Sequence, residues 1–173
     1  GPDLPNVLTA YPSRDVPDSL VVTLCPRRQL YVAESEKFAH VTYFLNGGYA
    51  QHFCDERWVK IESDRVKDFE VDPGMKAKEI ANYVSHAIIN KEFEFIAVNF
   101  SNADMLGHTG NERAAAAGVK IVDTELNKIV TTALSVNARV VITADHGNAE
   151  DMINVATGEP DSEHSNNPVP CVI

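Results

Sequence analysis

Residues 95–110 read FIAVNFSNADMLGHTG, an apolar run of strand length that passes directly into polar and ionisable residues. Residues 139–150 repeat this arrangement with RVVITADHGNAE. A strand that is apolar on both faces is buried on both faces, which is typical of a parallel sheet covered by helices. Because ligands of such sheets bind beyond the carboxyl ends of the strands, both polar segments are candidate parts of a functional site.

The remaining chain alternates between strand and helix patterns. Short β-prone runs are predicted at 20–24, 29–33, 58–62 and 169–173. Helical periodicity is predicted over 36–45, after Pro73-Gly74 and over 111–135. In the last helix the predicted buried stripe is Val119, Val122, Leu126, Ile129 and Val130. The alternation predicts the α/β class, as a partial α/β/α sandwich with a mainly parallel sheet.

The composition excludes several classes of protein. The chain has 173 residues, of which 44% are apolar, and 25 acidic against 15 basic residues give a net charge of −10. This length and apolar fraction suit one globular domain and argue against global disorder. No run approaches the roughly 18 apolar residues of a membrane span, and no basic cluster is interleaved with aromatic residues. We therefore expect neither a membrane nor a nucleic-acid partner.

The cysteines bear on the cellular compartment. Cys25, Cys54 and Cys171 are far apart and odd in number, which argues against a disulfide framework or a cysteine zinc site. We interpret them as packing residues and expect a reducing, cytoplasmic location. Gly1-Pro2 has the form of a scar left by protease cleavage, and the proline-rich residues 1–19 are typical of a connecting segment.

Ionisable residues accompany three of the predicted strands. Asp104 and His108 are four residues apart, so on a helical turn their side chains face the same way and can share a cation. Asp145 and His146 are adjacent after a strand, and His164 precedes the last one. Carboxylate and imidazole ligands without cysteine suit Mn²⁺, Zn²⁺, Mg²⁺ or Co²⁺.

Each of these clusters also has an ordinary structural interpretation. Asp-His-Gly after a strand is typical of a tight turn, which accounts for Asp145 and Gly147 but not for His146. A single histidine beside an apolar strand is more often a hydrogen-bonded structural residue than a ligand. Three clusters at three strand ends together favour a metal site over coincidence.

Lys37 is a separate candidate, since it follows the strand 29–33 at the start of a predicted helix. The helix dipole favours anions at that end, so Lys37 together with the helix N-terminus would make a good anion contact. The alternative is a solvated surface lysine, and periodicity alone favours that alternative.

Four segments carry a resemblance to a known family. They are EKFAHVTYF with NGG within 36–48, NADMLGHTG at 102–110, TADHGNAE at 143–150 and HSNNPVP at 164–170. In this order and spacing they closely resemble the cofactor-independent (2,3-bisphosphoglycerate-independent) phosphoglycerate mutases, members of the alkaline phosphatase superfamily. The resemblance covers residues 20–173 and implies an alkaline-phosphatase-like fold.

The resemblance implies a glycolytic isomerase with phosphoglycerate as substrate. Such an enzyme interconverts 3- and 2-phosphoglycerate through a phosphoserine and uses two Mn²⁺ ions. Lys37 would contact the transferring phosphate, as both a catalytic and a substrate-binding residue. The five ionisable residues at the strand ends would be the metal ligands: Asp104, His108 and His164 for one ion, Asp145 and His146 for the other.

Parts of the family pattern are not identifiable in this chain, namely the serine nucleophile, a further aspartate ligand and the substrate-binding arginines. We therefore expect residues 20–173 to be the C-terminal part of the metal-binding phosphatase-like domain. Residues 1–19 would be a linker or tag remnant on the return from an inserted domain. We expect a monomeric parent enzyme and an isolated chain that is inactive and self-associates. Another phosphoryl-transfer enzyme of the superfamily and a non-catalytic metal-binding fragment remain alternatives.

Overall fold

The architecture is built around a short parallel sheet. The computed structural model describes residues 18–64, 68–161 and 163–173, so the predicted linker lies almost wholly outside the described residues. Three strands, β1 (Gln29–Glu34), β2 (Glu56–Ile61) and β3 (Phe95–Asn99), pair in parallel in the order β2-β1-β3. The central strand β1 is buried at all six positions, as the predicted apolar run requires.

Helices connect and cover these strands. The α-helices are α1 (Leu20–Thr23), α2 (Ala77–Ile89), α3 (Asn102–Gly107) and α4 (Glu112–Ser135). Shorter turns are the 3₁₀ turns Ser35–Lys37 and Phe69–Val71 and the π-helical turn His40–Phe44. Asn111 caps α4, because its side chain accepts a hydrogen bond from the backbone N–H of Ala114. The predicted helices after Pro73-Gly74 and over 111–135 are thus confirmed.

Alternate residues of β1 face two different apolar cores. On one face Leu30 and Val32 pack with Ile80 and Val84 of α2 and with Ile129 of α4. On the opposite face the core consists of Val21, Tyr31, Ala33 and Val41, drawn from α1, β1 and the π-helical turn. The sheet is therefore covered on both sides, and the predicted α/β/α layering is confirmed.

The buried side of α4 matches the predicted stripe only in part, since Ile129 is buried and Val122, Leu126 and Val130 are half-buried. Val119 is 46% exposed, whereas the buried positions include Ala115, Gly118 and Ala133. Gly118 lies so close to Leu106 of α3 that an added Cβ would approach its Cδ1 to 2.2 Å. Small residues let the two helices approach closely, and a pattern search for large apolar residues misses them.

Two local predictions near the N-terminus are wrong. The run 20–24 is mostly helical, because the hydroxyl of Ser19 accepts a hydrogen bond from the backbone of Val22 and so starts α1. Cys25 and Cys54, interpreted as packing residues, are joined in a disulfide with their Cα atoms 5.8 Å apart. The fold brings α1 next to the loop before β2, a proximity that sequence spacing does not reveal.

The last predicted strands are short and lie apart from the parallel sheet. β4 (Ile142–Thr143) pairs antiparallel with β5 (Cys171–Val172) instead of joining the three-stranded sheet. Val141 and Val172 are 62% and 56% exposed, so the apolar run at 139–143 is not the buried strand that its composition predicts. No helix within the described ranges is long and apolar enough to cross a membrane.

Candidate metal centre

The predicted site residues meet at one edge of the parallel sheet. Lys37 lies in the 3₁₀ turn that follows β1, and Asp104 lies in α3, which follows β3. Since β1 and β3 are parallel neighbours, both segments leave the sheet at the same edge. The other predicted residues lie in three segments: His108 at the end of α3, Asp145 and His146 after β4, and His164 before β5.

Lys37 is buried, with 3% of its surface exposed, so the surface-lysine alternative is wrong. Its Nζ lies 2.8 Å from Oδ2 of Asp104 and 3.6 Å from Oδ2 of Asp145. The same Nζ is 3.1 Å from Nε2 of His146. A buried ammonium is costly unless it is paired, and here two carboxylates supply the opposite charge.

Asp104 is the most connected of the predicted residues. Its Oδ1 lies 3.2 Å from Nε2 of His108, 3.2 Å from Nε2 of His164 and 2.7 Å from Nδ2 of Asn148. Burial would raise the pKa of this carboxyl, but the hydrogen bonds from Lys37 and Asn148 together with the lysine charge outweigh burial and lower it. Asp104 is therefore held ionised, the form in which a carboxylate binds a cation.

Asp145 and His146 approach Asp104 from a loop. Nε2 of His146 is 3.8 Å from Oδ2 of Asp145 and 3.9 Å from Oδ1 of Asp104. The ring of His146 stacks on that of His164 with 3.7 Å between the centroids. Asn99, the last residue of β3, donates to Oδ2 of Asp145 at 3.4 Å and so ties this loop to the sheet.

The donors fit a divalent cation. One ligand atom each from Asp104, His146 and His164 lies within 4.8 Å of the other two. The ammonium of Lys37 among these groups shows that a positive charge is favoured here. The structure brings all five predicted ligands together but groups them differently, since His146 lies with residues that the resemblance assigns to the other ion. Carboxylate and imidazole ligands suit first-row divalent metals.

Sequence reasoning missed the residues that hold the ligand-bearing loops in place. Asn148 is 4% exposed and contacts Asp104, while Glu150 receives a hydrogen bond from the hydroxyl of Ser165. Asn167 donates to the same carboxylate at 3.1 Å. Chiefly because of the Ser165 hydroxyl, the pKa of Glu150 falls to about 2. Their only sequence signal is their place within the polar segments 143–150 and 164–170.

His40 is another residue near the site that the prediction did not include. Burial, followed by the charge of Lys37, lowers the pKa of its imidazole. Its Nδ1 is buried without a hydrogen-bond partner among the described residues, and its ring contacts that of Phe44 edge-on at 5.3 Å. The neutral imidazole thus adds no further positive charge beside Lys37.

Comparison with known proteins supports the same family. Residues 20–173 match the profile of the Metalloenzyme superfamily. The chain is 41% identical over 169 residues to a 2,3-bisphosphoglycerate-independent phosphoglycerate mutase of Coxiella burnetii, which covers 96% of this chain and 33% of that protein. It is 44% identical over 146 residues to the enzyme of the same name from Acetivibrio thermocellus, covering 84% of this chain and 29% of that protein.

A solved structure agrees with these relatives. The phosphoglycerate mutase of Leishmania mexicana superposes with a TM-score of 0.78 at 34% identity, over 84% of this chain and 29% of that one. The chain therefore spans about a third of the length of the curated relatives it matches. The resemblance predicted from the four motifs and the alkaline-phosphatase-like fold are confirmed. With a divalent-metal site supported by both its donors and its relatives, the chain belongs to the Metalloenzyme superfamily.

Proposed function

We propose that this chain is part of a cofactor-independent phosphoglycerate mutase, which interconverts 3- and 2-phosphoglycerate through a phosphoserine. Residues 20–173 would form the C-terminal part of its metal-binding phosphatase-like domain. The observation that carries the proposal is the buried Lys37. Its Nζ lies among Asp104, Asp145 and His146 at the edge of the sheet where β1 and β3 end. The names of the relatives, at 41–44% identity, support the substrate.

The chemistry follows from the charges in this cluster. Bound divalent cations supply positive charge that stabilises a transferring phosphoryl group and makes a hydroxyl nucleophile more acidic. Asp104, His108 and His164 would hold one such ion, and Asp145 and His146 the other. Lys37 would donate hydrogen bonds to the phosphoryl oxygens, and its burial keeps the ammonium oriented without reorganisation of water.

Mn²⁺ is the cation that we propose for both positions. Carboxylate and imidazole donors also accept Co²⁺, Zn²⁺ and Mg²⁺. The crystal structures of the Leishmania mexicana enzyme were determined at low cobalt concentration, which makes Co²⁺ a reasonable spectroscopic substitute.

Metal binding by the 173-residue chain tests the site directly. Because three of the proposed ligands serve one ion and two serve the other, titration calorimetry with Mn²⁺ should show one tighter and one weaker event. A chelator should reverse both events. Two equal sites would contradict the proposed division of ligands, and an absence of binding would overturn the site.

Turnover tests the proposed activity. The isolated chain should not convert 3- to 2-phosphoglycerate with Mn²⁺, because it spans about a third of the mutases it matches. The full-length protein should do so without 2,3-bisphosphoglycerate and should stop when a chelator is added. Conversion by the isolated chain would contradict the first expectation, and conversion that survives the chelator would contradict the metal mechanism.

Lys37 offers a sharper variant in the full-length protein. Lys37→Met should lower turnover by roughly 10²- to 10³-fold, the effect of removing one donor to a developing anion. Lys120→Met, on the exposed side of α4, is the matched control and should leave turnover unchanged. Equal activity of the two variants would exclude Lys37 from phosphoryl transfer.

Two alternative functions are considered: a different phosphoester substrate for the whole protein, and metal binding without turnover for the isolated chain. Metal ligands are shared more widely than substrate contacts, so another phosphoryl-transfer enzyme of the superfamily would hydrolyse or transfer a different phosphoester. For the isolated chain, a metal-binding segment without turnover is the second candidate, favoured by its one-third coverage of the relatives. Assaying the full-length protein on a panel of phosphoesters distinguishes a phosphoglycerate mutase from another phosphoryl-transfer enzyme. Mn²⁺ binding by the isolated chain in the calorimetric titration, without turnover, identifies the second candidate.

A further inference from the structure

The side chain of Asn148 is buried against the proposed metal ligands, although it is not itself one of the predicted residues. Its Nδ2 lies 2.7 Å from Oδ1 of Asp104 and 3.4 Å from the backbone oxygen of the same residue. The same nitrogen is 3.3 Å from Nε2 of His108. One amide group therefore touches two ligands on α3, while its own backbone belongs to the loop that carries His146.

The direction of this amide follows from hydrogen-bond chemistry. An ionised carboxylate only accepts hydrogen bonds, so the NH₂ end of Asn148 must face Asp104. That choice leaves Oδ1 buried with no hydrogen-bond partner among the described residues. A buried unpaired carbonyl is unfavourable, and an apolar side chain of similar size would avoid it. Packing alone does not explain an asparagine here.

Gly107 provides the space that the amide needs. A Cβ at this position would lie 2.4 Å from Oδ1 and 2.9 Å from Cγ of Asn148. The backbone of Gly107 is helical, so alanine suits its conformation, and the close contacts of an added Cβ are those with Asn148. Gly107 is the last residue of α3, and its absent side chain lets Asn148 reach Asp104.

We propose that Asn148 is a positioning residue that, in the space left by Gly107, orients the carboxylate of Asp104 toward a divalent cation. The inference rests on the metal site of the proposed function and adds two residues to it. Hydrogen bonds to ligands restrict their orientation before the ion arrives, and losing such a partner typically weakens metal binding by roughly 10- to 100-fold.

The test is a double-mutant cycle on the 173-residue chain, with Mn²⁺ affinity measured by calorimetry. Asn148→Ala and Gly107→Ala should each weaken binding of the tighter Mn²⁺, the first by roughly tenfold or more. Because both act through the same amide, the double variant should bind no more weakly than Asn148→Ala alone. Asn82→Ala, on the exposed face of α2, is the control and should bind as the unmodified chain does.

Two further readouts separate positioning from simple stability. The melting temperature without metal should fall little in Asn148→Ala, because that change also removes the unpaired carbonyl. The visible absorption of bound Co²⁺ should change, since its coordination geometry changes. An affinity within twofold of the unmodified chain, or effects of the two substitutions that multiply, would overturn the inference alone. If the unmodified chain binds no Mn²⁺, the proposed metal site fails and this inference fails with it.

Discussion

Two differently built regions share the site. Lys37 and Asp104 follow the buried strands β1 and β3, and their backbones are held by sheet pairing and by the cores under α2 and α4. His146 and His164 lie on loops within 144–170, between β4 and β5, which are only two residues long each. There the order comes from side-chain hydrogen bonds, above all those of Glu150.

The sheet region and the loop region are expected to contribute differently to stability and to metal binding. We expect the sheet region to determine whether the chain folds, because most of its buried apolar surface lies there. The loop region should determine how well the ligands converge, while contributing little to the free energy of unfolding. Substitutions that fall in one region or the other test this division.

The largest effect is expected for the core. Ile80 of α2 is fully buried against β1, so Ile80→Ala should lower the free energy of unfolding by about 2–5 kcal/mol. Val141→Ala, beside β4, should change it by less than about 0.5 kcal/mol, because Val141 is 62% exposed. Urea unfolding followed by circular dichroism measures both. Equal losses would mean that the loop region is as important for stability as the sheet.

The next effect concerns the ligand that both regions contact. Asp104→Asn removes the charge that faces Lys37 and three histidines, so Mn²⁺ affinity should fall by roughly 100-fold or more. Asp123→Asn, exposed on α4, is the matched control. Calorimetry in the same buffer compares them, and similar affinities would remove Asp104 from the site.

A smaller effect is expected where the loops are tied to each other. The carboxylate of Glu150 accepts from the hydroxyl of Ser165, from Nδ2 of Asn167 and from the backbone N–H of Asn148. Glu150→Ala should therefore free the segment that carries His164 and lower Mn²⁺ affinity by roughly tenfold, with the urea midpoint nearly unchanged. Glu159→Ala, in an exposed turn between the two segments, is the control. A lowered urea midpoint with unchanged Mn²⁺ affinity in Glu150→Ala would show that the loop region contributes to stability and not to metal binding.

The same division explains what could be predicted from the sequence. The parallel strands, α2 and α4 follow from local periodicity, and Asp104 follows from the rule that sites lie at strand ends. For Lys37 periodicity favours a surface position, and only the resemblance places it in the site. The predictions failed where distant segments decide the outcome. The exposure of Val119 depends on Leu106 meeting Gly118, and the pairing of Cys25 with Cys54 depends on where α1 packs.

The contacts of the loop region could not be predicted from the sequence for a related reason. Asn148 and Glu150 act through hydrogen bonds to particular atoms, and such bonds leave no periodic pattern in the chain. Their residue types are common in ordinary turns. Only the three-dimensional placement of Asp104 and Ser165 distinguishes them from turn residues.

The smallest effect is expected for pH dependence in the sheet region. Glu34 ends β1 with 1% of its surface exposed, and burial raises the pKa of its carboxyl above the ordinary value of 4.5. The raised value persists although the Ser63 side chain and the backbone N–H of Lys76 donate to it. Since the folded state holds the proton more tightly than the unfolded state, Glu34 should cost stability as pH rises from about 4.5 through its folded pKa.

Glu34→Gln keeps an acceptor for Lys76 and removes the charge. The variant should therefore lose less stability than the unmodified chain as pH rises above 4.5, and it should be the more stable protein at neutral pH. Glu62→Gln is the opposite control: Lys60 lowers the pKa of this exposed carboxyl, so its removal should shift the pH profile weakly the other way. Urea midpoints from pH 4 to pH 8 measure the Glu34 slope, and midpoints below pH 4.5 measure the Glu62 slope. A Glu34→Gln variant that is less stable at neutral pH would show that the ionised carboxylate stabilises this strand end, because its hydrogen bonds would then outweigh the cost of burying its charge.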